Sequence, residues 1–342
     1  MPFPQGIIKK SKKQQLSNDE EENNNKTNVV NNNEEKLLQT IYSAQLNKLN
    51  EILVTHKPTQ LSVESIIKLV KKTFKNIDDD NKQILAAKTL ILLIIQQEGD
   101  ENIVNDMTSL LLKIVLDKTL SSTVRSSCCS SLALLHFIGK SDNHNKIMLC
   151  HIFEKIFSSH DDVVDPCSAV ELYASALNAW ALLFTTIDDN KIISSTFKLL
   201  DVFVKLLNSS HLNIRIATGE IIALLLEKCD NDDEDDDDEE RFQYTEQLLK
   251  SPIPTIIKKL SIDSQKFRSK QDRKEQRFVF REVLQYLEEN EKPESIIRIG
   301  KKEQIILDTW KINQQYNCMC KLLTSDMSIY FTKNNFIRNI FF

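Results

Sequence analysis

Apolar residues recur at helical spacing through most of this chain. Between about Leu37 and Leu260 they stand three or four positions apart, and short polar stretches separate one apolar group from the next. This spacing places hydrophobic side chains along one face of an α-helix, whereas a half-buried strand would show strict alternation. The pattern predicts a succession of helices joined by polar turns over residues 36–262.

A short phrase repeats within these helices. Its four copies are Leu90–Leu93, Leu132–Leu135, Trp180–Leu183 and Ile222–Leu225. The last leucines stand at 93, 135, 183 and 225, so the steps between copies are 42, 48 and 42 residues. Two of the copies also follow a matching dipeptide at the same distance, Val124-Arg125 in one and Ile214-Arg215 in the other.

A period of about 40–47 residues is typical of HEAT and armadillo arrays, in which each group of helices buries its apolar face against its neighbours. The alanine that most copies share suits a close contact between helices, because a small side chain lets two backbones approach. We therefore predict a mostly α protein built as an armadillo/HEAT-like helical-repeat solenoid. An irregular helical bundle with an accidental similarity is the alternative.

A strongly basic segment follows the repeats. Its positive side chains are Lys266, Arg268, Lys270, Arg273, Lys274, Arg277 and Arg281. The whole chain carries a net charge of −5, so this local excess of positive charge is the expected contact for a polyanion or an acidic partner. A solvated basic helix face is the alternative.

The basic segment continues into an amphipathic helix without a break. The apolar positions Phe280, Val283, Leu284 and Leu287 have the i, i+3, i+4, i+7 spacing of one buried face. We expect this helix to run from about residue 273 to residue 291 and to end because of Pro293. Such a helix can dock through its apolar side and still present guanidinium groups to phosphates.

The carboxyl-terminal residues predict a small module over residues 263–342. Ser295–Gly300 is rich in β-branched residues and predicts a short extended piece, and another helix is expected from about Gln304 to Leu323. The aromatic end of the chain, Tyr330–Phe342, is expected to pack back onto the domain. Insertion of these aromatic residues into a partner is the alternative.

Composition supports a helical protein with two strongly polar segments. Only 5 of 342 residues are glycine, which is far below the usual share and disfavours folds that need many tight turns. Residues 1–35 are rich in asparagine and lysine, and we predict that this tail is disordered. Asp230–Glu240 is almost continuous acid and predicts an exposed loop, which could also contact basic protein tails.

No motif for catalysis or metal binding is present in the sequence. There is no glycine-rich phosphate loop, no His-Glu-x-x-His pattern and no pair of cysteines at zinc spacing. His144, Cys150, His151 and His160 are close in sequence, but ordinary helix positions explain them better than a metal site. We expect no catalytic residues, no cofactor, no metal and no small-molecule substrate, and hence not an enzyme.

Cysteine usage and hydropathy bear on location. The 7 cysteines form no spaced set, and no secretory signal precedes them, which favours a reducing intracellular compartment. The longest apolar run, Leu90–Ile95, is too short to span a bilayer, and acidic residues dilute the polar face of the basic helix, so no membrane partner is expected. A cytoplasmic location is expected, with the nucleus as a second one.

Several of these segments resemble the interferon-related developmental regulator family. The first is His211–Glu227, which is similar to the family's signature helix near the end of its repeat domain, and the earlier Val124–Cys129 looks like a corresponding repeat. Gln271–Val283, then Asp308–Trp310, then Asn335–Phe341 resemble the family's carboxyl-terminal module in order and approximate spacing.

The resemblance implies a non-enzymatic regulator of gene expression that acts by binding. Family members are described as factors on translationally idle ribosomes and also as transcriptional co-regulators that meet corepressor and deacetylase complexes. Ribosome or rRNA docking would use the seven basic side chains as phosphate contacts, and this is the function we favour. Corepressor scaffolding through the helical repeats is the alternative. The oligomeric state and the number of repeats stay open.

Overall fold

The computed structural model describes most of the chain in a series of ranges. These are residues 47, 49, 50, 53, 62–75, 79–139, 141–159, 166–187, 190–230, 238–263, 269–299, 303–323 and 327–341. The chain divides into two units, Met1–Leu49 and Asn50–Phe342, and the account below concerns the second. The predicted tail 1–35, residues 231–237 of the acidic stretch, and Lys266 and Arg268 lie outside the described residues.

Helices dominate the described part of the chain. They are α1 (Val63–Lys75), α2 (Asp80–Gln96), α3 (Glu101–Leu116), α4 (Ser122–Ile138), α5 (Asn143–Ser158), α6 (Pro166–Phe184), α7 (Asn190–Phe197), α8 (Leu200–Leu207), α9 (Leu212–Cys229), α10 (Asp238–Lys250), α11 (Ile253–Ile262), α12 (Lys270–Glu289), α13 (Trp310–Leu323), α14 (Met327–Lys333) and α15 (Asn335–Phe341). Two short strands, β1 (Ser295–Ile299) and β2 (Glu303–Leu307), stand between α12 and α13.

The helices are arranged in two rows. An inner row consists of α2, α4, α6, α9 and α12, and each of these helices packs against the next one in the row. An outer row consists of α1, α3, α5, α8 and α11, and each outer helix packs against the inner helix that follows it in the chain. Contacts that run mainly between neighbouring helix pairs define a helical-repeat solenoid, as the sequence predicted.

The repeated tetrapeptides form the centre of the inner row. They fall in α2, α4, α6 and α9, and the last leucine of each copy is buried. The alanines at 133, 181 and 223 are buried as well, which allows close contact between helices. An inner helix is covered on more than one side, so its apolar residues spread around the helix and do not form a single stripe.

The repeated arginines have a shared structural role. In α4, the Nε atom of Arg125 donates to the carbonyl oxygen of Val115, 2.9 Å away, in the last turn of α3. In α9, an Nη atom of Arg215 donates to the carbonyl oxygen of Ser209, 2.6 Å away, just after α8. Carbonyls at the end of a helix lack intrahelical partners. Each arginine therefore ties an inner helix to the end of the outer helix before it.

The basic helix α12 is the fifth member of the inner row. It packs against α9 and forms a pair with α11, although the sequence placed α11 in the repeat domain and α12 in the following module. No tetrapeptide of the repeated kind marks α12, and the acidic insertion lengthens the interval before it. The period alone therefore does not reveal this helix as a repeat element.

Two boundaries in the carboxyl-terminal part differ from the predictions. Helix α12 ends at Glu289 because Asn290 adopts a left-handed conformation with φ of 53°, so Pro293 is not the stop signal. The helix expected from Gln304 begins only at Trp310, because residues 303–307 pair antiparallel with the predicted strand at 295–299. Ile305 and Leu307 point inward in β2, and a short apolar run of this kind suits a helix equally well.

Helix α13 lies across the inner row. It packs against α4, α6 and α9. Two of its glutamines reach α6 and the turn after it, where Gln314 Nε2 donates to the Asn178 carbonyl oxygen at 3.4 Å and Gln315 Nε2 donates to Thr185 Oγ1 at 3.0 Å. Lys321 Nζ donates to the side-chain oxygen of Asn178 at 2.9 Å. The carboxyl-terminal segment therefore covers part of the solenoid.

The aromatic end packs on the domain, as predicted. Tyr330 and Phe331 are fully buried, and the Tyr330 hydroxyl donates to the Leu53 carbonyl oxygen at 3.3 Å. The Phe336 ring approaches Gly99, which connects α2 to α3 with a φ of 82°. A side chain at position 99 would be strained and would meet this ring, so glycine is required there.

The two equivalent arginines allow a matched comparison of stability. We expect Arg215→Lys to lower the free energy of unfolding by ~2–4 kcal/mol, because lysine cannot reproduce the several hydrogen bonds that the buried guanidinium donates. Arg125→Lys should cost ~1 kcal/mol or less, since Arg125 donates the one hydrogen bond given above and is partly exposed. Urea denaturation measures both, and equal losses would contradict the argument.

Candidate nucleic-acid interface

Helix α12 has well-defined ends. The Ser269 hydroxyl accepts from the backbone N–H of Asp272 at 3.0 Å and caps the amino terminus. Asn290 closes the other end, where its N–H donates to the Tyr286 carbonyl oxygen at 3.0 Å. The predicted helix is thus confirmed, with a start at Lys270 rather than at residue 273.

The docking face of α12 combines apolar and polar side chains. Phe280 and Val283 are fully buried, as the spacing predicted, whereas Leu284 and Leu287 are only partly buried. Gln276 and Tyr286 complete the buried face, and the sequence analysis missed both because it looked only for hydrophobic positions. A buried amide and a buried phenol need hydrogen-bond partners. The partners that α9 supplies define its contact with α12.

Side chains of α9 position α12 at close range. The guanidinium of Arg215 donates twice to Gln276 Oε1, at 3.0 and 2.6 Å. A Cβ atom on Gly219 would lie 2.8 Å from the Phe280 ring, so the two helices approach each other at this glycine. The Tyr286 hydroxyl donates to an Asp230 carboxylate oxygen at 2.9 Å, at the end of α9.

The described basic side chains form a stripe on one flank of α12. At 100° per residue, the five positions 270, 273, 274, 277 and 281 fall within an arc of about 100°. Lys270, Lys274 and Arg281 are exposed, while Arg273 and Arg277 are partly buried. We call these five residues the basic stripe. The structure therefore brings together five of the seven residues that the sequence singled out.

Four residues of the basic stripe are available for an external partner. Among the described residues, no carboxylate lies within 4.0 Å of the charged groups of Lys270, Lys274, Arg277 or Arg281. Three of these side chains extend into solvent from a helix whose opposite side is held by α9 and α11. A rigid row of cations at helical spacing can contact successive phosphates without internal competition.

The other flank of α12 is acidic and borders a cleft of about 220 Å³. The cleft lies between α9, α12, α13 and the start of β1. We call it the acidic cleft. It is lined by Glu220, Leu224, Phe278, Val279, Glu282, Pro293, Ser295, Trp310, Asn313, Gln314 and Asn317. Four elements contribute these residues, so no local sequence pattern could have identified the cleft.

Burial perturbs the acids of this cleft. Desolvation raises the pKa of Glu220 to about 7; Lys321 opposes this shift, and the nearby Glu282 and Glu275 add to it. Desolvation also raises the pKa of Glu282. The cleft therefore favours either protonated carboxyl groups or the presence of a counterion.

Helix α13 begins at the same corner of the molecule. The Glu227 carboxylate of α9 accepts from the backbone N–H groups of Trp310 and Lys311 at 2.8 and 2.7 Å. This contact satisfies two free N–H groups and places negative charge at the amino terminus of α13, where the helix dipole favours it. Helix α9 thereby positions both α12 and α13.

Other candidate chemistry is not assembled in the described ranges. His144 and His151 are exposed while Cys150 is buried, and burial raises the pKa of the Cys150 thiol. Across the described part of the chain, no three His, Cys, Asp or Glu side chains are grouped in a way that could hold a metal ion. Over the same ranges, each helix is too short or too polar to cross a membrane.

Fold and surface together define a class of protein. A helical-repeat solenoid carries a basic helix in its inner row and a carboxyl-terminal segment across that row, which is the architecture of a binding scaffold. Comparison with known sequences then shows the family. A sequence model described as "Interferon-related developmental regulator" matches residues 7–288, and the chain belongs to this family of regulators.

Curated relatives give the same result. The chain is 32% identical over 271 residues to interferon-related developmental regulator 2 of Mus musculus, with 76% of this chain and 59% of that protein covered. It is 29% identical over 280 residues to interferon-related developmental regulator 1 of Homo sapiens, with 80% of this chain and 60% of that protein covered. The chain thus spans about three fifths of the length of these relatives. They are named as regulators rather than as enzymes.

The close approach of α9 and α12 can be tested at its glycine. We expect Gly219→Ala to lower the free energy of unfolding by ~1–2 kcal/mol, although alanine favours helices, because the new methyl group would meet the buried Phe280 ring. In a Phe280→Leu background the same change should be neutral or stabilising. Denaturant unfolding of the wild type, the two single variants and the double variant measures these free energies. An equal loss in both backgrounds would contradict a close contact between Gly219 and Phe280.

The perturbed carboxyl of Glu220 predicts a pH-dependent stability. Its pKa rises from 4.5 in the unfolded chain to about 7 on folding, so its contribution to stability is full below pH 4.5 and is lost as the pH rises to about 7. Glu220→Gln should therefore stabilise the protein by ~1–2 kcal/mol at pH 8 and bring no gain at pH 4.5.

Urea denaturation at both pH values measures this difference. Glu171→Gln, which removes an exposed carboxylate from the interior of α6, is the matched control and should not give the gain at pH 8. If Glu220→Gln gave the same small effect at pH 8 as at pH 4.5, the carboxylate would not carry the desolvation cost inferred for it.

Proposed function

We propose that the protein regulates gene expression by associating with the ribosome, and that the basic stripe of α12 contacts rRNA phosphates. The observation that carries this proposal is the group Lys270, Lys274, Arg277 and Arg281 on one helix of a protein whose net charge is −5. Three of these side chains are exposed, and none of the four has a carboxylate within 4.0 Å among the described residues. Positive charge concentrated against an acidic whole is the expected mark of a polyanion-binding surface.

The mode of contact would be electrostatic and shape-dependent. Lysine and arginine side chains at helical spacing reach backbone phosphates and 2′-hydroxyl groups, which carry little sequence information. Lys266 and Arg268 precede the stripe directly in sequence and would add two further positive charges. The exposed Lys270, Lys274 and Arg281 are the main expected contacts, with Arg277 beside them and the partly buried Arg273 at the margin of the stripe.

Corepressor scaffolding by the repeats remains the alternative, and it has weaker physical support. A partner helix that entered the inner row at α4, α6 and α9 would have to displace α13, which already packs on these helices. It would also have to break the hydrogen bonds between α13 and Asn178, Thr185 and Glu227. The outer row is still open to a protein partner, so this alternative would use a different surface.

Charge reversal on the stripe tests the ribosomal proposal. We expect Lys270→Glu, Lys274→Glu, Arg277→Glu and Arg281→Glu, combined in one variant, to abolish co-sedimentation with 80S particles at moderate salt. The wild-type association should weaken as salt rises, with a slope of roughly 0.7–0.9 per phosphate contact, so the four stripe contacts should account for about three units of the wild-type slope.

A control variant carries the same charge change elsewhere, with a fourth exposed lysine of the outer row, Lys68→Glu in α1, added to the three given next. Lys113→Glu, Lys118→Glu and Lys155→Glu alter three exposed lysines in or beside the outer-row helices α3 and α5. This variant should sediment with ribosomes as the wild type does, and circular dichroism should show that both variants keep their helices. Unchanged co-sedimentation of the stripe variant, or an equal loss in the control, would refute phosphate contact through α12.

A further inference from the structure

The acidic cleft contains a buried donor that lacks a partner. Trp310 lines the cleft and is only 5% exposed, and its indole Nε1 has no hydrogen-bond partner among the described residues. A buried N–H group without an acceptor is costly and uncommon in folded proteins. Because Nε1 is closed to solvent, an acceptor oxygen from a ligand in the cleft would satisfy this group after a shift of the Trp310 side chain.

The acidic side chains of the cleft also form no salt bridge with a described cation, although Lys321 interacts with Glu220 over a longer distance. No described lysine, arginine or histidine lies within 4.0 Å of the carboxylates of Glu220 or Glu282. Two partly desolvated carboxylates in one small cleft repel each other unless a cation lies between them. The negative charge of the cleft therefore favours a positively charged ligand.

An exposed aromatic ring stands at the same place. Phe278 lines the cleft and is 62% exposed, although it is a large hydrophobic residue on a helix. The face of an aromatic ring attracts ammonium and guanidinium groups within about 6 Å. The amide side chains of Asn317 and Gln314 add polar groups that can meet a peptide backbone.

The size of the cleft limits the ligand. A volume of about 220 Å³ is below the usual ~300–1,000 Å³ of pockets for drug-sized molecules and cofactors. One long side chain with its peptide unit is the kind of group that fits. A nucleic acid is disfavoured, because its phosphates would face two carboxylates.

We propose that the acidic cleft binds a lysine or arginine side chain of a basic protein segment. Glu220 and Glu282 would pair with the cationic head, Phe278 would contact its face, and a main-chain carbonyl oxygen of the segment would accept from Trp310 Nε1. Helix α12 then has two binding surfaces of opposite charge, since the basic stripe lies on its other flank. This inference is independent of the ribosomal proposal.

Titration with short peptides tests the site directly. The probes are N-acetylated, C-amidated pentapeptides with a central arginine or lysine, and a matched peptide in which neutral citrulline replaces arginine. The readout is the indole N–H signal of Trp310 in NMR spectra of the full chain. Trp180→Phe assigns this signal, because the chain has only 2 tryptophans. In the unmodified chain, the Trp180 signal reports on the integrity of the fold.

We expect the arginine or lysine peptide to shift the Trp310 signal in a saturable manner. Glu282→Gln and Glu220→Gln should each weaken binding about tenfold, which corresponds to one lost charge pair. Glu289→Gln, which lies on α12 outside the cleft, should bind like the wild type. The citrulline peptide should leave the signal unchanged.

Three results would overturn the proposal. They are an absence of any shift up to about 10 mM peptide, an equal response to citrulline, and unchanged affinity in both glutamine variants with an undisturbed Trp180 signal. A shift caused by an RNA duplex would also count against a basic protein ligand. The charge-reversed stripe variant should still bind the peptides, so failure of the ribosomal proposal would be seen separately.

Discussion

Helix α9 is the element on which the rest of the structure depends. Its Arg215 binds both the end of α8 and Gln276 of α12, and its Gly219 admits the Phe280 ring at close range. Its Glu227 caps α13, even though burial raises the pKa of this carboxyl group. A buried cation and a buried anion each require hydrogen-bond partners in fixed positions. Because all of these groups lie on α9, this one helix sets the positions of both α12 and α13 relative to the solenoid.

The two flanks of α12 are chemically opposite. One flank carries the basic stripe, and the other forms a wall of the acidic cleft with Glu282 and Phe278. At 100° per residue, Glu282 lies about 80° from the nearest cation of the stripe and about 130° from its centre, so the two kinds of charge occupy different sides of the helix. A helix arranged in this way can contact a polyanion and a basic protein segment at the same time, because the two partners would approach from different sides.

The carboxyl-terminal segment completes the fold and covers part of the inner row of the solenoid. Helix α13 packs on three inner helices, and the aromatic residues that follow bury themselves against the first repeats. In a solenoid without such a segment, the inner row would be the natural surface for a partner helix. Here the same chain occupies that surface, which leaves α12, the outer row and the acidic cleft as the surfaces that a partner could reach.

The sequence alone predicted the helical-repeat fold, because a recurrence at 42–48 residues is typical of such arrays and a lack of glycine disfavours folds that need many tight turns. It also identified the basic residues of α12, since contiguous charge is visible without any structure. Strand β2 and the role of Gln276 could not be predicted from the sequence. A short apolar run forms a strand only if a second strand pairs with it, and a buried amide is stable only if distant groups supply its hydrogen bonds. The acidic cleft likewise exists only after folding: Glu220, Glu282 and Trp310 lie on three helices that become neighbours when α9 positions the other two.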